Sequence, residues 1–139
     1  MKLARTIATV MLISGLAVGS AQGQSGKHSL KVNVPFRFVV GQTTYTPGQY
    51  LVIATSNKVF VQTENGRNIG VLLSSSLDGE LPEQNGRVTF ECFPDECFLS
   101  QVWIAGLDAG RQLPKSKHQI QLAKSHAGQQ FALLGTKPQ

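Results

Sequence analysis

The sequence predicts an all-β fold, a single sandwich or a partly closed barrel of about seven strands with one short helix near the C-terminus. Two observations predict the strands. Apolar and polar residues alternate with a period of two along most of the chain from Leu30 onwards, as side chains do on the two faces of a strand. Turn signals separate the alternating segments, namely Pro47-Gly48, Asn65-Gly66 and Pro94-Asp95.

The first 23 residues have the parts of a secretory signal peptide. Lys2 and Arg5 precede a mostly apolar run, and small residues follow it, so cleavage is expected after Ala21 or Gly23. The run is shorter than the about 20 apolar residues that a transmembrane helix needs, and no cysteine lies near the cleavage site to carry a lipid. We therefore expect a signal peptide at 1–23 and a single β-rich domain at 24–139, exported to the periplasm or out of the cell, with no transmembrane segment after removal.

The charge of the remaining chain is mild. Without Lys2 and Arg5 it holds 11 basic and 8 acidic residues, a net charge of +3 compared with +5 for the whole chain. The basic residues cluster most near the C-terminus, in the widely spaced set Arg111, Lys115, Lys117 and Lys124. Such spacing is more typical of a solvated polar face than of a phosphate-binding surface. Nucleic acid is therefore not an expected partner.

The two cysteines, Cys92 and Cys97, predict a structural disulfide. Thiols in exported chains tend to oxidise, and Pro94-Asp95 between them favours a tight turn that places the two opposite each other on paired strands. A redox-active pair is typically Cys-x-x-Cys, and a zinc site needs further ligands, so neither is indicated.

Several elements follow from the alternation. Residues Leu30 to Val40 form one long strand that lies at an edge or bends at Pro35, whereas Gln49 to Thr55 is apolar on both faces and is expected to be central. Asn65-Gly66 closes a hairpin whose returning strand is Asn68 to Ser74, and Ser75 to Gly86 is expected to be a long surface loop.

The cysteine pair also predicts a register for its hairpin. Phe90 then faces Leu99, Val88 faces Gln101, and Trp103 shares the face of Phe90 and Leu99. We therefore expect Trp103, the only tryptophan, to be buried between the sheets; if it were exposed, it would be a candidate binding platform, as would the basic residues Arg111, Lys115 and Lys117.

The C-terminal segment is expected to cover the opposite face of that hairpin. Ser116 and Gln119 fit a capping box and predict a short helix from about Lys117 with Ile120, Ala123 and Leu122 as its buried side, although the alternation of Ile120 and Leu122 leaves a strand open. The apolar residues Phe131 to Leu134 either dock as a last strand or remain mobile with the tail.

Four ordered segments of the chain form a recognisable set. They are Val32-Asn33-Val34-Pro35-Phe36-Arg37-Phe38-Val39-Val40-Gly41, Pro47-Gly48-Gln49-Tyr50, Phe98-Leu99-Ser100-Gln101-Val102-Trp103 and Gly110-Arg111-Gln112-Leu113-Pro114-Lys115-Ser116. Together they resemble a group of small exported bacterial proteins for which no activity is established. The resemblance implies a β-rich fold and brings no cofactor or catalytic residue. The cysteine pair is a departure from the group's pattern.

No known catalytic or nucleotide-binding motif occurs, so no catalytic residue, metal or cofactor is assigned. The sequence leaves enzymatic activity undecided and does not favour it. Three hypotheses stand in order: a noncatalytic β domain with an envelope or extracellular partner, a carrier of a small apolar ligand in a barrel cavity, and a hydrolase with an unfamiliar site.

Overall fold

The computed structural model describes residues 28–79, 85–107 and 109–138, so the expected signal peptide lies outside the described residues. The described chain forms eleven strands and one helix. They are β1 (His28–Val34), β2 (Phe38–Val40), β3 (Thr43–Tyr45), β4 (Gly48–Ala54), β5 (Lys58–Thr63), β6 (Asn68–Leu73), β7 (Ser75–Leu77), β8 (Gly86–Cys92), β9 (Cys97–Ile104), β10 (Gly110–Gln112), α1 (Lys117–Ser125) and β11 (Gln129–Leu134).

Two sheets make the fold a sandwich that does not close into a barrel. The first sheet has the order β1-β4-β5-β6 and is antiparallel throughout. The second has the order β11-β8-β9-β10-β7, and β2 joins it by a parallel pairing with β9 and carries β3 on its other side. The predicted fold class is therefore confirmed, and β4 is central in its sheet as expected.

The strand number exceeds the predicted seven partly because the chain turns a corner and changes sheet at two places, Pro35 and Ser74. The long strand from Leu30 breaks at Pro35, which has no N–H to donate, so that β1 lies in the first sheet and β2 in the second. At Ser74 the chain again leaves the first sheet, and β7 pairs with β10. The prediction of a loop starting at Ser75 was therefore wrong, while residues 80–84 of that expected loop lie outside the described residues.

The space between the sheets is filled by aliphatic and aromatic side chains. Phe38 is 2% exposed, and its ring packs edge-on against Tyr50 and Phe90 at centroid distances of 4.9 and 5.6 Å. Around these rings lie buried aliphatic residues of both sheets, among them Leu30, Val32, Val52, Val59, Val61, Val88, Val102 and Leu113. Burial of this apolar surface is the main stabilising contribution to the fold.

The register of the cysteine hairpin is as predicted near its turn and differs beyond it. Cys92 pairs with Cys97 and Phe90 with Leu99, but a bulge between Thr89 and Phe90 then shifts the pairing by one residue. Val88 therefore faces Val102 instead of Gln101. Since a shift of one residue exchanges the faces of a strand, Trp103 lies on the outer face of the second sheet, and its predicted position between the sheets was wrong.

Helix α1 covers part of that outer face, as expected, but with a different side. The Ser116 side chain accepts a hydrogen bond from the Gln119 N–H at 3.1 Å, which confirms the helix start. The Gln119 side chain is 3% exposed and donates to Glu91 on β8, whereas Ile120 is 46% exposed and Ala123 is exposed. The predicted burial of Ile120 and Ala123 was therefore wrong, and Leu122 supplies the apolar contact, packing near Val39, Phe93 and Phe98.

The last apolar segment docks as a strand. β11 pairs with β8 over its whole length, and beyond it Thr136 exchanges two backbone hydrogen bonds of 2.8 Å with Lys31 of β1. The residues that follow β11 therefore connect the edge of one sheet to the edge of the other.

Candidate functional site

The predicted candidate residues do not converge on one surface. Trp103 is only 5% exposed, and its indole N–H donates to the Gln101 side chain at 3.2 Å. The guanidinium of Arg87 lies 4.9 Å above its ring, and a Cβ added to Gly110 would meet the ring at 2.7 Å. Trp103 is therefore a packed residue of the outer layer and not an exposed binding platform.

Arg111 points away from that layer. It pairs with Val102, a core residue, so its side chain lies on the inner face, where Nη1 donates to the Ser76 hydroxyl at 3.1 Å. The residue is 9% exposed, and its Nε has no hydrogen-bond partner among the described residues. Arg111 and Trp103 thus lie on opposite faces of the sheet. Arg111 does not form one basic surface with Lys115 and Lys117.

The two lysines near the start of α1 have different surroundings. Lys115 Nζ lies 3.7 Å from the Glu91 carboxylate, whose side chain is 12% exposed, and Lys117 is exposed on the helix. Gln119 reaches the same carboxylate with its amide, 3.3 Å from the other oxygen. The Lys115, Gln119 and Glu91 group therefore attaches the helix to the sheet, because a buried carboxylate requires such partners.

Cys92 and Cys97 form the predicted disulfide at the turn beside the same helix. The turn is also closed by a hydrogen bond of 2.7 Å from the Phe93 N–H to the Glu96 carbonyl. His118 of α1 lies 2.8 Å from the Glu96 carboxylate, so the turn and the helix are joined at the surface. These contacts attach the disulfide turn to the helix.

Sequence reasoning missed an exposed apolar surface on the first sheet. Ile53, Phe60 and Val71 are directly opposite one another on three neighbouring strands, on the face away from the core. Val71 is 50% exposed, and Leu73, on the same face of β6, is 67% exposed. We call these four residues the apolar stripe.

A signal for the apolar stripe was present in the sequence. Leu51 and Ile53 alternate with the core residues Val52 and Ala54, which makes both faces of β4 apolar. That pattern led to the prediction of a central strand, and β4 is central within its sheet. A strand with two apolar faces can equally belong to a sheet whose outer face is an interaction surface.

Two surface clefts flank the first sheet. The larger, of about 580 Å³, lies between its outer face and the residues after β11, and its lining includes Lys31, Leu51, Glu64 and Lys137. The second, of about 400 Å³, lies near His28 and Asn85. Both linings mix polar, charged and apolar residues, and neither cleft contains Trp103 or Arg111.

The described residues contain neither a metal-binding cluster nor a helix that could span a membrane. No group of three or more His, Cys, Asp or Glu side chains that could hold a metal occurs in residues 28–79, 85–107 and 109–138. Helix α1, the one helix of these ranges, has nine residues and is too short to span a membrane.

Comparisons with known proteins do not relate the chain to a family. No family model matches it, no curated protein matches it, and no solved structure matches it.

Proposed function

We propose that this protein is a noncatalytic, exported β domain that makes contacts in the cell envelope or outside the cell. The apolar stripe is the observation that carries the proposal. Its residues Ile53, Phe60 and Val71 form a continuous row across three strands, with Leu73 beside it, and exposure reaches 67%. Contiguous apolar surface of this kind is typical of sites that are covered by a partner.

Export is supported by the sequence of residues 1–23 and by the disulfide. A Cys92–Cys97 bond persists in oxidising compartments such as the periplasm, whereas thiols are kept reduced in the cytosol. The proposal therefore places the apolar stripe where the partner is an envelope or extracellular component.

The other two hypotheses have less support. A carrier would need an internal cavity, but the sheets do not close into a barrel, and Phe38, Tyr50 and Phe90 occupy the space between them. A hydrolase would need a nucleophile beside a base. Among the described residues, the contact of His118 with Glu96 lies at the surface, where it joins the helix to the disulfide turn.

Site-specific photocrosslinking in the cells that produce the protein tests the contact function. Benzoylphenylalanine replaces Phe60 in the apolar stripe, and in a matched control it replaces Gln121, which is exposed on α1. We expect one reproducible adduct from position 60 that is absent from position 121 and is competed by the unlabelled protein. Equal adducts at both positions, no adduct at position 60, or turnover that depends on a defined side chain would contradict the proposal.

A further inference from the structure

The edge of the first sheet at β6 has backbone groups that point away from the fold. Among the described residues β6 pairs with β5 alone. The Ser74 N–H donates to the Asn57 carbonyl at 2.8 Å, so Ser74 and, by alternation, Leu72 direct their backbone groups toward β5. Val71 and Leu73 must therefore direct their N–H and C=O groups outward, along the free edge.

This edge strand lacks the charged residues and the proline that often prevent edge-to-edge pairing. Natural edge strands carry lysine, proline or inward charges, whereas β6 reads Asn-Ile-Gly-Val-Leu-Leu with no charged residue and no proline. The apolar stripe also ends at this edge, where its two most exposed members, Val71 and Leu73, have β5 on one side and no strand of the described chain on the other. The strand is therefore suited to pairing with another strand.

We propose that a second copy of this chain pairs with this edge, β6 antiparallel to β6, around a two-fold axis at Leu72. Val71 of each copy then lies opposite Leu73 of the other, and the two pairs exchange four backbone hydrogen bonds through the groups that point outward. The two four-stranded sheets become one sheet of eight strands, and the two apolar stripes become one continuous band across it.

The register follows from the shape of β6. A bulge shifts the pairing of β5 and β6 between Val61 and Gln62, so the regular part of β6 is Gly70 to Leu73. A two-fold axis at Leu72 uses only that regular part. It also brings together Val71 and Leu73, the two exposed residues of that regular part, which no other register within it does.

A second copy fits this edge better than an unrelated strand. In a two-fold arrangement the same strand forms the contact on both copies. Because β6 is uncharged, it can pair with its own copy without like-charge repulsion. The contact involves one strand from each copy. It therefore buries less surface than the roughly 800 Å² per partner of a standard interface, and the dimer should dissociate on dilution. The inference rests on the proposed contact function, since both use the apolar stripe.

Sedimentation equilibrium of the protein, processed by an exporting host, tests the inference. We expect the average mass to rise from monomer toward dimer between about 10 µM and 1 mM, the range of a weak one-strand interface. Val71→Lys places a charge at the pairing edge and should remain monomeric, whereas Ile53→Lys, two strands away on the same stripe, should dimerise like the wild type. Circular dichroism confirms that each variant is folded.

Amide exchange provides a readout that needs no variant. The Val71 and Leu73 amides should gain protection as concentration rises, while the Leu72 amide, directed toward β5, is protected throughout. A wild type that is monomeric at 1 mM, a dimer that survives Val71→Lys, or a dimer lost in Ile53→Lys alone would each overturn the inference. The photocrosslinking result at Phe60 is independent of these outcomes, so a failed dimer leaves the contact function to its own test.

Discussion

Replacement of Trp103 by alanine should be among the most destabilising single changes in this domain. The residue is 5% exposed although it belongs to the outer layer, since Arg87 lies over one face of its ring and Gly110 packs closely against it. Truncation of a buried tryptophan costs about 3 to 5 kcal/mol through lost burial and cavity formation. Within that cost, the Arg87 contact accounts for about 0.5 to 1 kcal/mol and the hydrogen bond to Gln101 for about 1 kcal/mol.

Urea unfolding followed by far-ultraviolet circular dichroism measures this cost, because the chain has no other tryptophan to serve as a fluorescent probe. With an unfolding slope of about 1 to 3 kcal/mol per molar urea, the midpoint should fall by roughly 2 M. Since a domain has only about 5 to 15 kcal/mol of stability, Trp103→Phe supplies a milder variant with an expected loss of about 1 to 2 kcal/mol. A loss below about 1 kcal/mol for Trp103→Ala would refute the conclusion that the ring is structurally packed.

Three further changes test other parts of the structure. Cys92→Ser combined with Cys97→Ser should lower the free energy of unfolding by about 2 kcal/mol or less without abolishing folding, because the loop that the disulfide closes is small. Intact mass under nonreducing conditions verifies the bond in the wild type. Complete loss of folded protein in the double variant would contradict the small expected cost. Gln119→Ala should lower the free energy of unfolding in urea by about 1 to 3 kcal/mol, because Glu91 loses the hydrogen bond from the Gln119 amide. Ile120→Ser, on the exposed side of the same helix, should change it by less than about 0.5 kcal/mol. Equal costs would show that the helix docks by another face. N-terminal sequencing of the protein from its host should find Gln22 or Gln24 first, and retention of Met1 would oppose the signal peptide.

Local signals in the sequence were sufficient for the hairpins and the helix start. Asn65-Gly66 and Pro94-Asp95 specify their turns through the conformations those residues favour, and Ser116 marks the first turn of α1 by the hydrogen bond its hydroxyl accepts. Each of these features depends on residues that are close together in the chain.

The remaining features depend on contacts between distant parts of the chain. Both faces of β9 are buried, one by the core and one by the outer layer, so alternation could not locate the bulge that moves Trp103 outward. Gln119 is buried because Glu91, on β8, needs its amide, and a hydrophobic pattern favours Ile120 instead. The corner at Ser74 has neither proline nor glycine. The apolar stripe on the outer face of the first sheet is not covered by another layer of the described chain.

The pairing of Thr136 with Lys31 has a consequence for the order in which the domain can be completed. A ribosome makes β1 before β11, so until the residues around Thr136 emerge β8 lacks its β11 partner and Lys31 lacks the two backbone hydrogen bonds that it exchanges with Thr136. Every nascent chain that stops short of this point has an open side between its sheets. The residues from β11 to Thr136 therefore join the two sheets only after the other described strands have been made.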